Sequence, residues 1–244
     1  MSIAETCDIG EFSLLKARYV LLMWLFRLPG VYEPQEDTWL LLETLRSPSV
    51  RVGVRVLDIG TGTGVLAVAA ARGGAGQVTA IDVCGRAVFA ARVNGWLRRL
   101  PIRVLRGSLL EAVGAFDVIV ANPPYVCSDD PPGTGRRDRT WNGGPGGRAM
   151  LDLLCSMAPS LLAPGGMILI VQSALCGVQN TLELLCSEGL HVAVIARRRE
   201  PFGPVMRAKA SQLESRGLIC PGQRYEELVV IRADRVEQQE SHRG

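Results

Sequence analysis

Apolar runs and small-residue clusters alternate along this chain with two different periods. Short continuous runs end in glycine or an acid: "VRVLDIG" (54–60), "QVTAID" (77–82), "IRVLRG" (102–107), "FDVIVAN" (116–122) and "GMILIVQ" (166–172). Runs of this length bounded by turn residues predict strands buried on both faces. Between them lie segments with helical spacing: 36–45, 65–74, 85–98, 147–162 and 175–188. The apolar stretch within 11–27 predicts a further helix ahead of them, and "LHVAVIARR" (190–198) and "EELVVIRA" (226–233) predict two closing strands. Strand and helix alternating at this spacing predict an α/β fold: a doubly wound, mostly parallel sheet of seven strands with helices on both faces. No clear helical pattern separates the last two strands, so they predict an antiparallel pair at one edge. The segments 126–146 and 200–224 are longer than ordinary connections, which marks them as functional or mobile.

This pattern divides the 244 residues into a helical extension (1–29), one domain (30–235) and a short tail (236–244) expected to be disordered. Composition adds mainly exclusions. Net charge is +3, too small to argue for nucleic acid by itself. Seven cysteines, an odd number with no C-x-x-C pair, predict reduced thiols in a cytoplasmic protein. With His191 and His242 the only histidines, a His-based triad or metal centre is not expected. "YVLLMWLF" (19–26) is short of the roughly 20 residues a membrane span needs. The acidic start, with Glu5, Asp8 and Glu11, lacks the basic opening of a signal peptide.

The chemistry is written at the strand ends. "LDIGTGTGVLA" carries Asp58 at the end of the first strand, then Gly60, Gly62 and Gly64 before a helix. Glycines there permit a tight turn and close approach of a ligand to the backbone. Asp82 ends the second strand, where an acid can accept both ribose hydroxyls of a nucleoside. Gly62, Gly64 and Ala67 also fit the dinucleotide pattern G-x-G-x-x-A, so the turn alone does not choose the nucleoside. Asp58, if it faces the ligand, would disfavour a pyrophosphate and suit a cationic amino group.

The fourth strand runs into Asn122-Pro123-Pro124-Tyr125. Two prolines cannot extend a ladder, so the backbone leaves the sheet as a stiff loop. The side-chain carbonyl of Asn122 and the backbone carbonyl of Pro123 can converge on a planar NH2 group, and the Tyr125 ring can lie flat against it. Such a site orients a poorly nucleophilic nitrogen by geometry and electrostatics rather than by a strong base. A structural reading, a proline-rich strand exit without chemistry, competes with it.

Taken together, "LDIGTGTG", Asp82 and "NPPY" resemble the class I S-adenosylmethionine-dependent methyltransferases of Rossmann-like fold. "VYEPQEDTWLLLETL" and "NPPY…WNGGPGG" are similar to the HemK-type protein-glutamine methyltransferases, in their shorter single-domain branch, over roughly residues 30–233. The resemblance implies S-adenosylmethionine as methyl donor, with Thr38, Asp58, Gly60, Gly62, Asp82, Ser108, Leu109 and Asn122 around it. It implies Asn122, Pro123 and Tyr125 as the residues that hold the accepting nitrogen. For Glu36, Asp37 and Thr38, helix capping is an equal alternative to ligand contact. It further implies protein methylation on a release factor, and in part of the branch a small zinc-binding activator subunit. The motif is shared with N6-adenine and N2-guanine methyltransferases, so a nucleic-acid acceptor is the alternative, with "GRRDR" (135–139) and "RRR" (197–199) as phosphate contacts. A non-catalytic donor-binding protein is a third reading. Two positions depart from the family pattern: Ser108 and Gly146 stand where acids are usual. About 30 residues precede the lid segment, so the family's long helical N-terminal domain is not carried over.

Overall fold

A computed structural model describes residues 24–45, 52–129 and 140–236. The tail from 237 on, the basic cluster at 135–139 and most of the 11–27 helix expected from the sequence lie outside these residues. Residues 24–28, at the end of that expected helix, are irregular. They are fastened to the domain by Asn94, whose side chain accepts from Phe26 N–H and donates to Phe26 C=O, each at 2.8 Å.

Among the described residues the elements run α1 (Glu36–Leu45), β1 (Arg55–Ile59), α2 (Val65–Arg72), β2 (Gln77–Asp82), α3 (Gly85–Leu97), β3 (Ile102–Arg106), β4 (Phe116–Ala121), α4 (Ala149–Leu161), β5 (Leu162–Ser173), α5 (Val178–Ser187), β6 (His191–Pro201), α6 (Pro204–Ser215) and β7 (Tyr225–Asp234). The seven strands form one sheet in the order β3-β2-β1-β4-β5-β7-β6. β1 to β5 are parallel, and β7 lies antiparallel between β5 and the outermost strand β6. β1, β4 and the centre of β5 are buried on both faces, which is why they read as unbroken apolar runs. β6 alternates exposed and half-buried positions, as an edge strand covered on one face does. None of the described helices is long and apolar enough to cross a membrane.

The segment 200–224 is not a long loop. It contains α6, which the sequence pattern missed. Only Met206, Ala210 and Leu213 of this helix are buried, and one of the three is an alanine, so its apolar stripe is weak. Its start is nevertheless well specified, with Pro204 in the first turn. The helix clamps the chain that follows β4. Lys209 reaches Ser128 Oγ at 3.1 Å, and Gln212 and Arg216 reach Asp129 at 2.8 and 3.1 Å.

Strand order reverses between β1 and β4, so the chain leaves these neighbours toward opposite faces and opens a crevice at their carboxyl ends. The β1–β4 register pairs Ile59 with Ala121, so the glycine turn and Asn122 emerge side by side. A Cβ built on Gly60 would lie 4.0 Å from Asn122 O.

Gly64 starts α2 with φ of 82°, and a Cβ there would stand 3.0 Å from both Cα and Cβ of Ala91 on α3. Gly64→Ala should therefore lower unfolding stability by about 1–3 kcal/mol, from left-handed strain and the α2–α3 clash together. Urea unfolding of the variant measures this; parental stability would show that α3 moves aside freely.

Candidate active site

A cavity of about 830 Å3 runs from the glycine turn past the fourth strand's end to β6 and β7. That lies within the roughly 300–1,000 Å3 usual for small-molecule sites. Its wall includes Thr38, Gly60, Gly62, Asp82, Leu109, Asn122, Pro123 and Tyr125 of the residues expected from the sequence. Two are missing from it, Asp58 and Ser108.

The turn at the donor end is held by its own backbone. Gly60 and Gly62 have φ of 69° and 55°, values that favour glycine. The N–H groups of Gly60 and Thr61 both donate to Ile81 O, at 2.9 and 3.1 Å, which pins the turn to the end of β2. Asp82 accepts from Gly62 N–H at 2.9 Å through one oxygen and from Cys84 N–H at 2.8 Å through the other. Each carboxylate oxygen keeps a lone pair for a further donor, as two vicinal hydroxyls require. Burial raises the Asp82 pKa, and the two backbone N–H groups oppose that rise.

Asp58 sits behind this wall. It is fully buried, and its Oδ2 accepts from Thr61 Oγ1 at 2.5 Å and from Ala67 N–H at 3.1 Å. Oδ1 has no hydrogen-bond partner. Burial pushes the carboxyl up to about 7 against the pull of Thr61 and Ala67, with Asp82 adding to the rise. Its Oδ2 is committed to shaping the turn, and the residue lies off the cavity wall. Ser108 is also off the wall; its N–H donates to Glu111 Oε2 at 2.9 Å at the start of the short 3-10 turn 109–111. Gly146 is exposed, and a Cβ there would touch only Arg148.

Beside the NPPY loop, the lid helix is joined to it through Asp37, for which helix capping and ligand contact were equal expectations. Asp37, 5% exposed, accepts the hydroxyls of Tyr32 and Tyr125 on Oδ2 at 2.7 and 2.8 Å. Its Oδ1 accepts the N–H and the hydroxyl of Thr38. Thr38 Oγ1 in turn accepts from the Asn122 side-chain NH2 at 3.1 Å. One N–H of the Asn122 side chain is thus bound to the lid, and its Oδ1 and second N–H are left for a ligand. Burial, then the Asp37 carboxylate, push the phenol of Tyr32 well above its ordinary pKa; the same causes act on Tyr125. The Tyr125 hydroxyl is a structural tie in addition to any stacking by its ring. A signal for this was present, since Tyr32 and Asp37 lie five residues apart in "VYEPQED" and Asp37 opens an otherwise apolar helix.

The loop is backed from behind by the glycines of "WNGGPGG". Gly147 has φ of 70°, and a Cβ there would fall 2.3 Å from Tyr125 O. Cys176 Sγ donates to that same carbonyl at 2.9 Å. Further along the cavity, Glu200 and Glu226 are two wall residues that no sequence signal singled out. The "RRR" cluster on β6 is engaged within the chain: Arg197 pairs with Glu227 and Arg198 with Glu43, each at 2.6 Å, and the Arg199 guanidinium lies 3.4 Å from the centre of the Tyr225 ring.

Comparison with known proteins agrees with this geometry. Residues 23–131 match the family "Methyltransferase small domain". A putative protein N5-glutamine methyltransferase of Methanocaldococcus jannaschii is 37% identical over 190 residues, which cover 76% of this chain and 93% of that protein. The release factor glutamine methyltransferase of Bordetella pertussis is 36% identical over 173 residues, covering 64% of this chain and 61% of that one. In fold, the chain is similar to the E. cuniculi Mtq2–Trm112 complex, which is responsible for methylation of the eRF1 translation termination factor. The TM-score is 0.61 and the identity 24%, with 84% of this chain and 99% of that one covered.

The two acids at the donor end should part company. Asp82→Ala should weaken binding of S-adenosylmethionine by roughly 10–100-fold, the scale of a lost charge-assisted hydrogen bond. Asp58→Asn should leave it within about threefold, since the side chain keeps an oxygen for Thr61 and Ala67 and lies off the wall. Calorimetry decides, and equal losses in both would return Asp58 to the ligand surface.

Proposed function

The chain belongs to the HemK-type protein-glutamine methyltransferases, a family dependent on S-adenosylmethionine, and on that premise we propose that its acceptor is the side-chain amide of a glutamine in a translation release factor. One observation supports the reading above the others. A single cavity joins Asp82 and the glycine turn to an Asn122 whose NH2 is held by Thr38, leaving a carbonyl oxygen to receive a donor.

The donor-side residues fit the methyl donor. Gly60 and Gly62 present backbone without side chains on the wall beside the NPPY loop, and Asp82 offers two oxygens to a ribose. Gly107 and Leu109 line the same cavity, and in this reading they face the adenine. When bound, S-adenosylmethionine supplies an electrophilic methyl group on a sulfonium. The remaining work is orientation by the chain. In this reading Asn122 Oδ1 and Pro123 O accept the two hydrogens of the acceptor NH2, which fixes the nitrogen and limits its loss of electron density to the amide carbonyl. Pro123 suits the part, since its ring stiffens the backbone and leaves its carbonyl free of a strand partner. Tyr125, anchored at its hydroxyl, holds its ring at one side of that nitrogen.

The reading also includes a small activating subunit. β3 is the outer strand on its side of the sheet, and Phe89, Trp96, Leu110 and Val113 nearby are 53%, 76%, 67% and 85% exposed. A surface of this kind supports a protein partner.

Asn122→Ala separates binding from transfer. Its donor affinity should stay within a few-fold of the parent, while transfer to a purified release factor should fall about 100–1,000-fold, the usual loss when one preorganised polar group is removed. Mass spectrometry of the glutamine-bearing peptide reads the transfer. Parental activity in this variant would overturn the role of the loop. Methylation of RNA or DNA by the parent, with none of the release factor, would overturn the acceptor.

A further inference from the structure

One wall of the cavity comes from outside the sheet. Residues 29–32 line it, and they end a strap, 24–32, that crosses α3 from its C-terminal to its N-terminal end. Arg98, just past α3, donates from Nη2 to Trp24 O at 2.6 Å. Asn94 holds Phe26 by two hydrogen bonds, and Arg86 in the first turn of α3 donates from Nη1 to Pro29 O at 2.9 Å. The Phe26 ring meets Phe89 edge-on, with centroids 6.0 Å apart. A turn closed by Val31 N–H on Leu28 O, with Gly30 at φ of 85°, then delivers the chain to the cavity.

Asn94 has a second attachment. It is fully buried, and its amide is saturated with partners. Oδ1 accepts from Phe26 N–H at 2.8 Å and from Arg98 Nη1 at 3.3 Å. Nδ2 donates to Phe26 O at 2.8 Å and to Thr63 O at 2.9 Å. Thr63 stands between Gly62 and Gly64 in the glycine turn and also lines the cavity. One side chain, itself off the wall, therefore sets the strap and the glycine turn relative to each other. Only an amide meets this set of partners. An aspartate would lose both donated bonds and turn a charge toward two carbonyls.

The strap has little else to hold it. Residues 24–28 pair with no strand, and Trp24 is 75% exposed. A segment held by a few polar contacts opens at lower free energy than the core. A ligand that meets the seated strap stabilises it, and seating strengthens the binding in return. We propose that Asn94 is a positioning residue for the methyl donor: by tying the 24–32 strap to the glycine turn, it holds residues 29–32 in place as one wall of the donor site. This rests on the donor-end reading of Asp82 and the glycine turn and is independent of the acceptor.

Trypsin and calorimetry test it. Arg27 lies in the strap between the Asn94 and Arg86 contacts, with its side chain 41% exposed. In the parent, saturating S-adenosylhomocysteine, the demethylated donor, should slow the cut after Arg27 about tenfold. The cut after Arg224, which is off the cavity wall, should change less than about twofold. Without ligand, Asn94→Asp and Asn94→Ala should be cut after Arg27 about tenfold faster than the parent, and should bind S-adenosylmethionine about tenfold more weakly. An Asn94 that served only the fold would lower unfolding stability, but the folded variants would keep parental donor affinity. If neither variant folds, Arg98→Ala decides, since it removes the bond to Trp24 from a half-buried position. It should speed the Arg27 cut and weaken donor binding, each about threefold. Parental donor affinity in the deciding variant, no protection of the Arg27 bond in the parent, or equal protection of the Arg224 bond would overturn the role of Asn94 and leave the donor reading intact. No binding of S-adenosylmethionine by the parent would overturn both.

Discussion

The site depends on one buried carboxylate. Asp37 gathers four donors: the Tyr32 and Tyr125 hydroxyls on one oxygen, and the Thr38 N–H and hydroxyl on the other. Through Thr38 it also reaches Asn122. A buried charge is tolerated when hydrogen bonds surround it, and removing one partner leaves the rest uncompensated. The consequence is mechanical. The lid helix and the strand-exit loop, more than eighty residues apart in sequence, are fixed to each other across the mouth of the cavity. Stiffness from Pro123 and Pro124 keeps the loop extended, and Asp37 decides where that extended loop sits.

The sheet supplies the frame for this tie. Reversal of strand order between β1 and β4 brings the glycine turn beside Asn122, and the antiparallel β7 brings Glu226 to the same cavity from the other half of the sheet. α1 reaches across to β6 through the Arg198–Glu43 pair at 2.6 Å. α6 closes over the chain after the loop, contributing Val205 and Met206 to the wall. The cavity thereby draws its wall from both halves of the sheet.

Much of this was legible in the sequence, for a physical reason. β1, β2 and β4 are short, buried on both faces and stopped by Gly, Asp or Asn-Pro, so burial and termination are written in adjacent residues. α6 was not legible, because a helix with three buried positions and a nearly polar remainder has almost no period to detect. At the site, Asp82, the glycines and Asn122 were legible as cavity-wall residues because each position is fixed locally by a strand end. Asp37 and Glu226 were not, because what defines them is contact across long separations: Asp37 with Tyr125, and Glu226 with Ser173 and Glu200. Asp58 also ends a strand, but which way its carboxyl turns is set by contacts the strand pattern does not carry: its Oδ2 accepts from Thr61 and Ala67.

The central claim is that Asp37 couples the lid to the NPPY loop as one unit. A double-mutant cycle on kcat/KM, with Asp37→Ala, Tyr125→Phe and the combined variant, isolates that coupling. If the account is right, either single change breaks the same tie, and the second then costs little more. The interaction energy should be about 1.5–3 kcal/mol, the range for a hydrogen bond to a charged group. Losses that add to within about 0.5 kcal/mol would show that Asp37 and Tyr125 act independently, and would contradict the account.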